Sequence, residues 1–417
     1  MKIWIKEMKK RVAGCFLCVA LVLGGCSNQE ATEQSVVSLL ESSSIETSDE
    51  ESKVKYADDY EYLWGMLENS YPYLVYIDEN IVNTKDLHDR YEVELTSIDK
   101  DADFANMIQR LFGEMEHFAH LEVITPEVYK ALYSTFVLDE ELSTNEYAAP
   151  TAELLKDPKL SDIYTVPQSY EEYAEREKSD ELTAVYVNYY DDCNALYMRL
   201  PSFEHALVKR DKDIVYNALE QYPDTEHIIF DISANHGGDN TYWVDNIVAP
   251  FGGDHEFKLR AFYKSADSAD PDVELLPTSE LVDAPEWAAN LGLNHYCNNN
   301  WSILEDNFDG KRIQGNYEFW VLTGPNTFSA AERFACFCKS TGWATLVGDK
   351  TSGDGLGRVA FTMLPDSGLL IQFNSAAGEN PDGSINAVSG TAPDVSCNEK
   401  KHSVAPLSRC LELIRGQ

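Results

Sequence analysis

From Ala184 onward, short apolar runs alternate with helical periodicities, and this pattern constrains the fold most. Ala195-Leu196-Tyr197-Met198-Arg199-Leu200 reads as a strand, and residues 206–222 as a helix with Ile214, Ala218 and Tyr222 on one side. Ile228-Ile229-Phe230-Asp231 reads as a buried strand running into Asn235-His236-Gly237-Gly238. Further on, residues 319–322 read as a strand, Ser329 to Thr341 as a helix, and 344–347 and 369–373 as two more strands. Strands alternating with helices imply a layered α/β core with much parallel pairing. Upstream the texture is helical. Tyr60, Leu63, Trp64 and Leu67 recur at i, i+3, i+4, i+7, and Phe104, Met107, Ile108, Leu111, Met115 and Phe118 mark a second helix expected to stop near His120. Leu121 to Ile124 then turns strand-like, and residues 126–182 read as helices and loops rich in Tyr, Glu and Asp.

The N-terminus reads as an address. Lys2, Lys6, Lys9, Lys10 and Arg11 precede an apolar stretch, Val12 to Leu23, that is short for a membrane span. Leu23-Gly24-Gly25-Cys26 follows, with the small residues of an export cleavage site. Residues 27–55 hold eight serines and seven acidic residues, with no aromatic, Gly or Pro, and are expected to form a disordered tether. The expected divisions are therefore 1–26, 27–55, a helical subdomain at 56–125, a helical insertion at 126–182 and an α/β core at 183–417.

The net charge is −38, and losing the basic leader makes the chain more acidic still. Such a chain repels a phosphate backbone, and no basic patch lies outside the leader, so nucleic acid is not an expected partner. Six cysteines remain besides Cys26 after the leader, at 193, 297, 336, 338, 397 and 410. They lack disulfide or zinc spacing, and the histidines show no His-Glu-x-x-His cluster. No cofactor or metal is implied.

One junction carries chemistry. The strand 319–322 leads through Thr323-Gly324-Pro325-Asn326-Thr327-Phe328 into Ser329-Ala330-Ala331-Glu332. Ser329 reads as a helix cap completed by Glu332, or as a nucleophile whose oxyanion meets the free N–H groups of that helix. The Gly237-Gly238 pair offers open backbone N–H groups, or simply a tight turn.

An ordered set of motifs runs along the chain: Tyr62-Leu63-Trp64, Phe118-Ala119-His120-Leu121, Leu200-Pro201-Ser202-Phe203, the strand into Asn235-His236-Gly237-Gly238, Thr327-Phe328-Ser329-Ala330-Ala331-Glu332, Val347-Gly348-Asp349-Lys350-Thr351-Ser352-Gly353, and Gly390-Thr391-Ala392-Pro393-Asp394. In that order they resemble peptidase family S41, the tail-specific (C-terminal processing) serine peptidases. That resemblance implies a crotonase/ClpP-like core of spiralling ββα units. The Leu-Gly-Gly-Cys ending likewise resembles a bacterial lipobox, which implies a lipidated Cys26 and an extracytoplasmic, membrane-anchored protein.

The resemblance implies Ser329 as nucleophile, with the N–H groups of Ala330 and of Gly237 or Gly238 as the oxyanion site. Where Ser-Lys members hold their lysine, this chain has Asp354, so a lysine base is not expected. In the branch that includes the tricorn core, the base is a histidine at the end of an N-terminal helix. That place falls to His120, with His117 as fallback one turn earlier. That branch orients its histidine through a Glu and a Ser, and Ala387 and Ala119 stand in those places here. Glu379, Glu122 or Asp394 are then the candidates to orient it. His236 replaces a glycine of the glycine-rich loop, where its ring would partly fill the cleft. The glycine-free stretch 114–236 leaves no carboxylate-binding loop for the PDZ domain that many relatives carry, so the insertion is expected to be a lid or substrate platform.

Three functions follow. The first is a surface-anchored serine endopeptidase acting on protein or peptide substrates. The second is a catalytically inactive peptide- or ligand-binding lipoprotein with the same cleft, expected if His120 has no orienting group. The third is a structural surface protein whose acidity serves solubility alone.

Overall fold

The apolar runs form the middle of a twisted sheet. In chain order the first fourteen strands are β1 (Glu122–Val123), β2 (Tyr186–Tyr190), β3 (Ala195–Arg199), β4 (His227–Asp231), β5 (His255–Phe257), β6 (Arg260–Tyr263), β7 (Leu276–Pro277), β8 (His295–Asn298), β9 (Trp301–Ile303), β10 (Glu318–Thr323), β11 (Thr345–Gly348), β12 (Arg358–Met363), β13 (Leu370–Gly378) and β14 (Val395–Ser396). One six-stranded sheet runs β14-β11-β10-β4-β3-β2. Its pairs are parallel except β2 with β3. The central strands are apolar on both faces because both are covered. Ile228, Phe230 and Val321 face the helix Ser329–Thr341, with Phe334 and Phe337. Ile229, Trp320 and Leu322 face the C-terminal helix Pro406–Arg415, with Cys410, Leu411 and Ile414.

A second sheet, β1-β13-β6-β8-β7 with β12 also on β13, is antiparallel. The N-terminal helices pack on it. Tyr60, Leu63, Phe104, Ile108 and Leu111 share one core with Phe262, Ile371, Phe373 and Ala377. Residues 126–183 hold short helices with their own cluster of Tyr129, Leu132, Leu155 and Tyr164, which also touches Leu370. The six cysteines at 193, 297, 336, 338, 397 and 410 are free thiols, and all but Cys193 are buried.

This computed structural model describes residues 49–417 apart from 141, 146–147, 180, 270–272, 400–401 and 404. Cys26 and its leader lie outside the described residues. So does the expected tether as far as residue 48, but its end is helical: the first helix runs Asp49–Asn69. Two other boundaries differ from expectation. The helix expected over 206–222 is broken into His205–Asp211 and Ile214–Gln221, with Asp211 buried and accepting the Tyr242 hydroxyl at 2.7 Å. The helix expected to reach His120 is Asp101–Glu114. Beyond it Glu116, His117, Ala119 and His120 all take positive φ, so the chain coils tightly where a helix cannot continue. No helix among the described residues is long and apolar enough to cross a membrane.

Candidate active site

Three distant segments meet where the two sheets join. His120 arrives just before β1, whose pairing places Glu122 opposite Gln372 and Val123 opposite Ile371. Ser329 arrives at the end of β10, at the mouth of its helix. Asp354 arrives in the turn after β11, whose neighbour Gly353 bridges to Phe328. This chain segment is held tightly. Ser329 N–H donates to the Gly353 carbonyl at 3.3 Å, and Ser352 N–H to the Thr327 carbonyl at 2.9 Å. A Cβ on Gly355 would lie 2.4 Å from the Ser329 carbonyl oxygen and 2.5 Å from the Arg333 nitrogen. Only glycine lets these backbones approach so closely.

The side chains then line up. His120 Nε2 lies 3.2 Å from Ser329 Oγ, and His120 Nδ1 lies 2.5 Å from Asp354 Oδ2. The other carboxylate oxygen, Oδ1, accepts a hydrogen bond from Asn374 Nδ2 on β13. With Asp354 ionised, Nδ1 carries the ring hydrogen and Nε2 is left to accept from the serine hydroxyl. Burial raises the Asp354 pKa, while the facing His120 and the hydrogen bonds from His120 and Asn374 pull it down. Ser329, His120 and Asp354 are 0%, 2% and 3% exposed. Phe328 covers one face of the imidazole, its ring centroid 4.7 Å away.

All three residues have positive φ: 60° for His120, 55° for Ser329 and 62° for Asp354. Each such conformation costs a non-glycine residue roughly 1–3 kcal/mol and persists only where the surroundings over-determine it. Strain at all three corners of one hydrogen-bonded chain marks a built site.

The structure revises several expectations. Ser329 is not a cap: Phe328 occupies the N-cap position without a side-chain bond, and Glu332 turns into the interior instead of closing a capping box. His117 is not on the helix, and its Nδ1 lies 3.2 Å from the Leu121 carbonyl oxygen, not at the serine. None of Glu379, Glu122 and Asp394 orients His120. Glu379 pairs with Arg260 at 2.9 Å, Asp394 accepts from Leu346 N–H at 2.9 Å, and Glu122 sits in β1 opposite Gln372. Asp354 orients it. The signal was present in the sequence, since Asp354 occupies the place from which a lysine would reach the nucleophile. In the sequence alone it marks only the absence of a lysine base.

The glycine pair divides its work. A Cβ on Gly237, whose φ is 103°, would lie 2.8 Å from both Ala330 nitrogen and Ser329 Cβ, so this glycine packs directly on the serine. Its N–H is engaged, donating to Asn235 Oδ1 at 2.7 Å. Gly238 bridges to Phe203, but through its neighbours: Phe203 N–H bonds the Gly237 carbonyl and Asp239 N–H bonds the Phe203 carbonyl. The Gly238 N–H therefore faces away from that bridge. Ala330, in the first turn of its helix, has no intrahelical acceptor for its N–H. His236 is half-buried, and burial lowers its pKa. Among the described residues, one trio could hold a metal, His88, Asp89 and Glu92, and it lies on the exposed side of the helix Thr84–Leu95, outside this site.

Two family models match parts of the chain. Residues 194–397 match the family model for peptidase family S41, and residues 52–113 match that of the tricorn protease C1 domain. The α/β core over residues 194–397 is thus that of peptidase family S41, a family of serine-type peptidases. Among solved structures, it is similar to a peptidase from Parabacteroides merdae, at 16% identity and a TM-score of 0.52, over 86% of this chain and 96% of that one. It is also similar to mature CPAF, at 12% identity and a TM-score of 0.51, over 87% of this chain and 96% of that one. At these identities the likeness is one of fold.

Proposed function

We propose that this protein is a serine endopeptidase that works through an acyl-enzyme on Ser329, with His120 as general base and Asp354 as its orienting partner. The observation that carries the reading is the continuous hydrogen-bonded chain from Asp354 through His120 to Ser329. In the first half-reaction Ser329 Oγ attacks the scissile carbonyl carbon as its proton passes to His120 Nε2. Asp354 faces the imidazolium that forms. The oxyanion is met by the N–H groups of Ala330 and Gly238 as its charge develops. Collapse expels the amine, which takes the proton from Nε2. Water, deprotonated by the same nitrogen, then releases the second product.

A protein or peptide substrate follows from the family, and the Gly237-Gly238 segment is the backbone beside which an extended peptide would lie. The helical segment 126–182 is proposed as its platform or lid. Anchoring through a lipid on Cys26, and with it a place on the outer face of the cell membrane, belongs to the same proposal and rests on the leader sequence. The non-catalytic alternative loses its chief motive, since His120 has an orienting group.

A fluorophosphonate probe and an unfolded protein substrate test the reading together. The purified protein should form a covalent adduct and cleave the substrate. Ser329→Ala and His120→Ala should abolish both activities, and His117→Ala should leave them intact. Equal turnover in Ser329→Ala refutes the assignment, and peptide binding without labelling favours the non-catalytic alternative.

A further inference from the structure

The triad leaves one buried carboxyl unused. Glu332 lies three residues beyond Ser329 on the same helix and is 0% exposed. Its Oε1 accepts hydrogen bonds from Asn386 Nδ2 at 2.6 Å and from Thr391 Oγ1 at 2.7 Å. Its Oε2 has no partner among the described residues. Asn386 faces both ways. Its Oδ1 accepts the N–H groups of Gly355 at 2.8 Å and Leu356 at 3.2 Å, the two residues that follow Asp354. Glu332 is thus joined to the backbone carrying Asp354 through a single asparagine.

We propose that Glu332 is a positioning residue of this site: as the neutral acid it holds, through Asn386, the chain that carries Asp354, and it leaves the one negative charge of the buried centre on Asp354. The proposal rests on the triad reading and extends it to the network behind the nucleophile.

Two carboxyl groups in one apolar interior cannot both ionise cheaply, and the better-compensated one keeps the charge. Asp354 has the imidazole and the Asn374 amide. Glu332 has only neutral donors. Burial pushes its pKa up to about 7, against the partial relief of Thr351, Thr391 and Asn386, and the Asp354 charge pushes the same way. The groups around Glu332 can be named. On its own helix, Arg333 is turned to the carbonyls of Gly355 and Gly357, and the Cys336 thiol is pushed up by burial and stays neutral. From the facing segments come Asp354 and the uncharged Thr351, Asn386 and Thr391. As pH rises through 7, ionisation of Glu332 adds a second negative charge to the network that fixes Asp354.

Glu332→Gln keeps a carbonyl oxygen for Asn386 and Thr391 but cannot ionise, and Glu332→Ala removes the acceptor. Two readouts on the purified full chain decide the matter. The first is thermal unfolding between pH 5 and 9. A carboxyl whose folded pKa is raised above its unfolded value binds its proton more tightly when folded. Its contribution to stability is therefore full below about 4.5 and is lost as pH rises through about 7. Wild-type Tm should fall over that window relative to Glu332→Gln, leaving the variant the more stable at pH 8.5. The second readout is fluorophosphonate labelling. The wild-type rate should decline above pH 7, the Gln variant should lose that decline, and the Ala variant should label about tenfold more slowly or worse at every pH. Parallel Tm curves for wild type and Glu332→Gln overturn the proposal, as does wild-type labelling by Glu332→Ala. If the wild type labels at no pH, the triad reading fails, while the Tm comparison still reports whether Glu332 carries its proton.

Discussion

Asp354→Asn tests the least expected member of the site. The substitution changes neither shape nor volume, so its effect is read through the hydrogen bonds it reverses. Asn374 Nδ2 donates to Asp354 Oδ1, and Asn374 is itself held within β13, where every residue is buried. The new amide must offer its oxygen to that donor, which turns its NH₂ group towards His120 Nδ1. The imidazole then has to accept at Nδ1 and carry its hydrogen on Nε2. In that tautomer it cannot take the proton of Ser329, 3.2 Å away. An aspartate-to-asparagine change of this kind in a Ser-His-Asp triad costs about 10⁴ in rate, or roughly 5 kcal/mol of transition-state stabilisation. The assay is the pseudo-first-order rate of fluorophosphonate acylation at pH 7, which needs no knowledge of the natural substrate. The expected outcome is a fall of about 10³–10⁴-fold with unfolding temperature little changed, since the neutral amide keeps both hydrogen bonds and reverses only the one to His120. A fall of less than about tenfold would mean that the contact at 2.5 Å does not govern the tautomer, and the triad reading would fail with it.

Two further outcomes can be checked alongside the Ser329 and Glu332 experiments. Gly237→Ala should be destabilised by about 1–3 kcal/mol in denaturant melts, and its labelling should slow, because a Cβ at φ 103° would press on Ser329 and Ala330. His205 lies 2.6 Å from Asp239 and 3.6 Å from Asp139, and these two carboxylates, outweighing burial, raise its pKa to about 9. The cluster should therefore stabilise the fold fully below about pH 6.5 and lose that contribution as pH rises through about 9, whereas a His205→Gln melt should show no such step.

The architecture was legible because it is written in local periods. Ile228 and Phe230 alternate with Ile229 in burial partners as period-two strands must, and the helix Ser329–Thr341 falls where its sequence pattern put it. Chain breaks were less legible. The coil at residues 116–120 carries no proline, and its only glycine neighbour, Gly113, precedes it, so nothing in the residue types announces that the helix ends at Glu114. The positive φ values of His117, Ala119 and His120 are imposed from outside, by the pairing of β1 with β13 and by Tyr71, whose hydroxyl bonds the Phe118 carbonyl at 2.5 Å. Tertiary contacts override local preference there, and a reading by local period does not see them.

The same reasoning explains why Ser329 and His120 could be named from the sequence and Asp354 could not. A nucleophile at a helix mouth and a histidine beside a strand leave local marks. An orienting carboxylate is defined only by where its oxygen ends, and 234 residues separate Asp354 from His120. What puts it there is backbone packing: Gly353 paired with Phe328, Gly355 against the Ser329 carbonyl, and Asn386 across the next two N–H groups. That segment would deliver whatever side chain residue 354 carried to the same point beside the nucleophile. In the Ser-Lys members that the sequence resembles, a lysine at this place is the base. An aspartate is too short for that and cannot supply a neutral amine, but it meets the far nitrogen of an imidazole lying between. On the proposed mechanism, the length and charge of one side chain on a fixed backbone thus select which base the site uses, and His120 becomes necessary once residue 354 is acidic.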